Sequence, residues 1–186
     1  MRFLRWRARD EALRAWGESL IERHGADVAR VIGHDGPLPH GLRVEVAAGG
    51  SGAAWTSGLT ITLNARWFAE HPDDAGGVLH ELAHAIMRAP RYDQTTIWLI
   101  EGIADHVRDA LGFDERWTFA HFEPGKATAG YQTTAHFLAW LETERAGAVA
   151  ELSRRLSDGT YDRAAFEAIA GRRLEDLVAA YERAST

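Results

Sequence analysis

The sequence predicts an α+β fold, with a small β-sheet near the N-terminus and a mostly helical C-terminal half. Two observations predict it. Two short segments before residue 64 alternate apolar with polar residues, and beyond residue 73 helical periodicity takes over almost without interruption. No internal repeat and no linker rich in Gly, Ser or Pro divides the chain, so residues 1–186 are expected to form a single domain.

The elements follow in order. From Asp10 to Ile32 the apolar residues Leu13, Trp16, Leu20, Ile21, Val28 and Val31 return at helical spacing among charges, which predicts an amphipathic helix ended by the Gly33–Gly41 stretch. Leu42 to Ala47 and Leu59 to Leu63 have the period-two pattern of strands with one buried face. Gly49, Gly50, Ser51 and Gly52 between them read as a loop or hairpin connection. Asp73 or Asp74 is placed to cap a helix running to about Met87, stopped by Pro90. A further helix from Ile97 to Leu111 closes at Gly112, and a loop then runs to Gly130. Helices over Tyr131–Arg145, Val149–Leu156, around Phe166 and over Leu174–Arg183 complete the chain.

Composition bounds the function. At 186 residues the chain can bury a core of its own, so a metal here is expected to serve chemistry rather than hold the fold together. With 46% hydrophobic residues and no apolar run of membrane-spanning length, neither disorder nor a membrane protein is predicted. A net charge of −6 argues against nucleic acid or an anionic lipid surface as the main partner. Arg2, Arg5, Arg7 and Arg9 are too few to reverse that. The N-terminus shows no apolar core of a signal peptide, so a cytoplasmic location is expected, a processed secreted form being the alternative. Cysteine is absent, so a zinc site would have to be built from His and carboxylates, the set typical of catalytic sites.

Such a set exists. His80-Glu81-Leu82-Ala83-His84 is an HExxH motif inside a stretch that is helical by periodicity, the context the motif needs. Residues four apart stand one turn above each other, so both imidazoles can reach one zinc ion at about 2.0–2.1 Å. Glu81 lies beside that face and can contact a water on the metal. On a helical wheel Val78, Leu79, Leu82 and Ile86 form the core side and His80, Glu81 and His84 the cleft side. The competing reading is a motif that merely decorates a solvated helix face.

A catalytic zinc takes a third protein ligand, commonly a carboxylate from another element. Glu101 on the next helix is assigned to it, and the interval from His84 lets one helix end, a loop turn through Pro90 and a second helix return. Asp105, one turn further, is assigned to hydrogen-bond the outer nitrogen of a ligating histidine. Asp105 as the ligand in its place is the alternative. Glu101, Asp105, Arg108 and Asp109 would also suit a plain solvated arc. Trp98 interrupts that arc, and Gly102 costs a helix interior about 1 kcal/mol, which points to close packing nearby.

These blocks together, HExxH, then Leu99-Ile100-Glu101-Gly102-Ile103-Ala104-Asp105, then Gly130-Tyr131-Gln132-Thr133-Thr134-Ala135-His136-Phe137-Leu138, resemble the plant basic secretory protein family and its bacterial relatives. The likeness runs from about Ile61 to Tyr181. The resemblance implies a compact, zincin-like metallopeptidase domain of the gluzincin kind. It also implies that the strand Ile61-Thr62-Leu63-Asn64 borders the cleft and pairs with an extended substrate. The acidic charge and missing secretion signal depart from the family name, so neither extracellular location nor a role in defence is carried over.

The expected reaction is zinc-dependent hydrolysis of a peptide or protein substrate, with Glu81 as general base. Tyr131 is the candidate donor to the developing oxyanion, a packed core aromatic being the other reading. His106, His121 and His136 are further donor candidates, and Tyr92 is placed to line the cleft. Trp55, Trp67, Trp98, Trp117 and Trp140 suit either a hydrophobic subsite or the core. An aminopeptidase or amidase with the same chemistry, and a non-catalytic metal-binding module, are the alternatives. Oligomeric state is not encoded legibly.

Overall fold

The computed structural model describes residues 2–113 and 122–186, with side chains from Ala8 onward. His121 and Trp117 lie outside the described residues. The fold is α+β, with eight helices and one three-stranded sheet among the described residues. Helix α1 (Arg2–Val31) precedes β1 (Arg43–Ala47), β2 (Ala54–Ser57) and β3 (Thr60–Asn64). Then come α2 (Ala65–Glu70), α3 (Ala75–Met87), α4 (Ile97–Ala110), α5 (Tyr131–Glu144), α6 (Ala148–Ser157), α7 (Ala165–Ala170) and α8 (Leu174–Ala184). No helix among the described residues is long and apolar enough to cross a membrane.

The sheet departs from expectation in two ways. The connection between the two alternating segments is not a simple loop or hairpin, because it contains β2. The order is β1-β3-β2, with β1 and β3 parallel and β2 and β3 antiparallel. The hairpin is therefore β2–β3, turning at Gly58, whose φ of 60° is a conformation glycine adopts without strain. As the central strand, β3 has both edges paired and cannot accept an extended substrate. That corrects the expectation from family resemblance, and the strand with a free edge beside α3 is β2.

One continuous core joins all layers. Val28 and Ile32 of α1, Ile61 and Leu63 of β3, Leu79 and Leu82 of α3, Leu99 and Ile103 of α4, Phe137 of α5 and Phe166 of α7 are all buried in it. Each such side chain contributes about 1.5–3 kcal/mol by leaving water. Helix α1 reaches the sheet at Gly17, where an added Cβ would stand 2.9 Å from Leu63 and 3.1 Å from Val44.

The closest helix contact is α4 on α5, at Gly102. A Cβ there would sit 2.2 Å from Thr134 Cγ2 and 2.6 Å from its Cβ. Thr134 cannot yield easily: it is fully buried, its hydroxyl donates to the Ala127 carbonyl at 2.9 Å, and that oxygen accepts from the Gly130 N–H at 2.9 Å. This packing explains a glycine inside a helix. Gly102→Ala should therefore lower stability by about 1–3 kcal/mol in denaturant unfolding, despite alanine's better helix propensity, and Thr134→Ser should restore part of the loss.

His106 is buried on α4, and its Nδ1 has no hydrogen-bond partner. Burial lowers its pKa, outweighing the charge of Glu142 and a hydrogen bond to the Ala135 backbone. The unfolded chain, with a histidine pKa of about 6.5, takes up a proton that the fold refuses, so stability falls as pH drops below that value. His106→Gln should flatten this part of the stability profile between about pH 6.5 and 5, measured by urea unfolding at stepped pH.

Candidate metal centre

The site begins with the start of α3. Asp74 caps the helix by accepting from the Gly77 N–H at 3.0 Å. Its carboxylate also accepts from Trp67 Nε1 at 2.9 Å and pairs with Arg108 at 3.2 Å, which ties α3 to α2 and to α4. Gly76 allows this approach, because a Cβ there would meet the Phe113 carbonyl at 2.5 Å. Thr56 of β2 donates to the Glu81 main-chain carbonyl at 2.9 Å, so the free-edged strand is fastened along α3.

Between α3 and α4 lie His80, His84 and Glu101, each offering one ligand atom within 4.8 Å of the others. His80 Nδ1 donates to Asp105 Oδ1 at 2.7 Å. That turns Nε2 toward Glu101 Oε2 at 3.2 Å and His84 Nε2 at 3.0 Å, while Glu101 Oε1 stands 3.6 Å from His84 Nε2. Glu101 and Asp105 are each only 5% exposed, so the arc they occupy on α4 is an interface with α3 and not a solvated face.

These distances put electron-rich atoms face to face in a poorly solvated place, which is stable only with positive charge among them. The electrostatics of the site act in the same direction. Burial opposes charging of His80, yet hydrogen bonds to Asp105 and Glu101 outweigh it and raise its pKa to about 10. Burial likewise favours a neutral Glu101, but the two histidines hold its carboxyl well below the usual carboxylate range. Two imidazoles and a carboxylate converging this way could hold a divalent metal, and the donor set fits one.

Glu81 lines the cleft beside the histidines, and among the described residues its carboxylate takes no hydrogen bond. The cleft has a volume of about 880 Å³ and runs between β2, the end of α3 and the α3–α4 loop. Tyr131 is not a core aromatic. It is 55% exposed and stacks on the His80 ring, with centroids 6.4 Å apart and planes 7° apart. Tyr92, 57% exposed on the loop, donates its hydroxyl to Glu101 Oε1. Both phenols are held above their ordinary pKa, first by burial and then by the nearby carboxylates, so both remain donors at neutral pH.

The remaining candidates are elsewhere. His106 packs inside the α4–α5 region, and His136 Nδ1 is hydrogen-bonded with the Tyr181 hydroxyl at 2.7 Å, away from the cleft. Of the tryptophans, Trp55 lines the cleft, Trp67 supports Asp74, Trp98 is buried against Phe166, and Trp140 packs near Phe137 and Tyr181. Sequence reasoning found Asp74 as a helix cap but missed its pairing with Arg108, which joins distant segments, and the role of Thr56, which lies on the unforeseen strand. It also missed Arg88, although that residue follows His84 by one further turn.

Comparison with known proteins finds one family. The sequence model of a family described as peptidase of plants and bacteria matches residues 43–181, which takes in β1 and β2 as well as the helices of the site. No curated protein matches the chain. No solved structure matches it either.

Asp105 fixes which nitrogen of His80 faces the other donors, and losing such a partner typically weakens metal binding by about 10–100-fold. Asp105→Ala should therefore bind zinc about that much more weakly in a competitive chelator titration, while keeping the parent's circular dichroism.

Proposed function

We propose that this chain, which belongs to the peptidase family of plants and bacteria, is a zinc-dependent endopeptidase that hydrolyses peptide or protein substrates. The observation that carries the reading is the convergence of His80, His84 and Glu101 within 4.8 Å at the floor of a cleft that Glu81 also lines. His80, His84 and Glu101 would hold the ion, in the manner of a gluzincin, with Asp105 behind His80. Zinc bound there supplies Lewis acidity, bringing a water's pKa to about 7 and polarising the scissile carbonyl.

The chain's own residues do the rest. Glu81 takes the proton released by the attacking water and delivers it to the leaving amine, a role its hydrogen-bond-free carboxylate suits. Tyr131 donates to the carbonyl oxygen as negative charge builds on it. Its ring is held over His80, so the hydroxyl stays on the cleft side. Tyr92 keeps Glu101 oriented by donating to its Oε1. An extended peptide is positioned by adding to the free edge of β2 along Ala54, Trp55 and Thr56, where backbone hydrogen bonds accept many sequences. An open cleft and a net charge of −6 favour peptide over nucleic acid or an anionic membrane as the partner.

Metal analysis beside peptide cleavage tests the assignment. The protein should carry about one zinc, as expected of a three-ligand catalytic site. His80→Ala, His84→Ala and Glu101→Ala should lose it. Glu81→Gln should keep the metal and lose about 10²–10⁴-fold in turnover. Tyr131→Phe should lose up to about 10²-fold with little change in metal content. A zinc-loaded wild type that cleaves nothing in a broad peptide library would replace the peptidase reading with that of a metal-binding module.

A further inference from the structure

Among the described residues two that are not glycine have positive φ, Arg88 at 46° and Tyr131 at 48°, and both line the same cleft. Left-handed backbone is costly for a residue with a side chain, and such positions gather where a side chain must be aimed. Tyr131 stands over His80. Arg88 ends α3, its N–H bonded to the His84 carbonyl at 2.9 Å, and it is exposed and among the residues that line the cleft. A glycine would make that helix end without strain.

The contrast with Arg91 sharpens the point. Arg91, three residues on, is tied down by Asp93 at 3.6 Å and by the Tyr161 carbonyl at 3.2 Å. The Arg88 guanidinium makes no hydrogen bond or ion pair among the described residues, and Arg88 is the lone Arg or Lys lining this cleft. The cleft's acidic groups are Glu81 and Glu101, both at the metal centre. A divalent ion would balance those two charges and leave Arg88 as the net charge of the cleft. The cleft's apolar lining includes Trp55, Met87 and Ile100, which select for shape and not for charge.

Resting on the peptidase reading, we infer that Arg88 is a specificity-determining residue that takes a substrate carboxylate, making peptides that present a carboxylate to it the preferred substrate class. The guanidinium presents a planar fork of donors that matches a carboxylate in two parallel hydrogen bonds. The carboxylate comes either from an Asp or Glu side chain or from a peptide's C-terminus, and the two share this chemistry. One charge-assisted pair at an open rim supports about a tenfold preference over the matching amide.

The test measures binding without turnover. Zinc-loaded Glu81→Gln protein is titrated by calorimetry with alanine-rich peptides in which one Glu or one Gln is walked through every position. Each peptide is made with a free and with an amidated C-terminus. A side-chain source gives about tenfold tighter binding of Glu over Gln at one register with either terminus. A terminal source gives the same gain for free over amidated peptides wherever Glu stands. In both cases Arg88→Gln in the same background should erase the difference, and Arg88→Glu should reverse it in favour of the amide. Acid and amide peptides bound within about twofold, or a preference that survives Arg88→Gln, would overturn the inference. If the carboxylate preference appears but the wild type cleaves none of these peptides, hydrolysis falls and Arg88's role stands. If the wild type cleaves peptides with no preference for carboxylate over amide, in a side chain or at the C-terminus, Arg88's role falls and hydrolysis stands.

Discussion

Helices α3 and α4 meet through ionisable groups in a place with little water, and the need to compensate that charge sets the relative position of the two helices. Glu101 and Asp105 are one turn apart on α4, and His80 and His84 are one turn apart on α3. Burying two carboxylates among apolar side chains is unfavourable unless positive charge meets them at hydrogen-bonding distance. Only one register brings Asp105 to His80 Nδ1 while Glu101 faces both imidazoles. A shift of either helix by one residue would strand at least one carboxylate, so the contact that suits a cation also specifies the packing. The Asp74–Arg108 pair at the other end of the same interface acts in the same direction.

The approach of α5 depends on this arrangement. With α4 fixed, Gly102 leaves room for Thr134, whose hydroxyl holds the turn from Ala127 to Gly130 in place. That turn delivers Tyr131 to the cleft with its backbone in the left-handed region, at a cost of order 1–3 kcal/mol that the surrounding packing must offset. A small residue on one helix, a hydroxyl on the next and a strained aromatic at its first position thus form one device. Its product is a half-exposed phenol over the His80 ring.

What the sequence disclosed was the local part of this design. Helix α3 could be read because its apolar side, its Asp cap, its stop at Pro90 and its HExxH spacing all lie within a single element. The bounds of α4, α5, α6 and α8 were legible for the same reason, and α7 was legible as a helical stretch around Phe166. Strand β2 was not, being four residues long beside a run of glycines with no alternating pattern to announce it. The parallel pairing of β1 with β3 was hidden because it joins segments separated by that strand. The polar arc of α4 was ambiguous from sequence, since periodicity tells which residues share a face but not what the face meets. Trp98 and Gly102 hinted at burial, and the hint acquires meaning only with Thr134 opposite. Arg88 and Arg91 look alike in sequence, and only their surroundings distinguish an anchored side chain from an unpaired one beside a cleft.

The choice between Glu101 and Asp105 as the third ligand, left open by spacing, turns on the shape of an imidazole. Its two nitrogens point away from each other, so a carboxylate that accepts from Nδ1 cannot also stand in front of Nε2. Asp105 accepts from His80 Nδ1 at 2.7 Å, whereas Glu101 faces His80 Nε2 and His84 Nε2 from the cleft side. The two acids differ by one methylene and one helical turn, and each difference has a use. The shorter side chain stays behind the ring, where it can fix the tautomer, and the longer one extends past it to where the two histidines converge. Exchanging them in place would leave the short acid unable to reach the convergence point and crowd the long one against the ring. The order glutamate then aspartate along α4 is therefore a directional feature of the proposed centre, set by side-chain length against a fixed pair of rings.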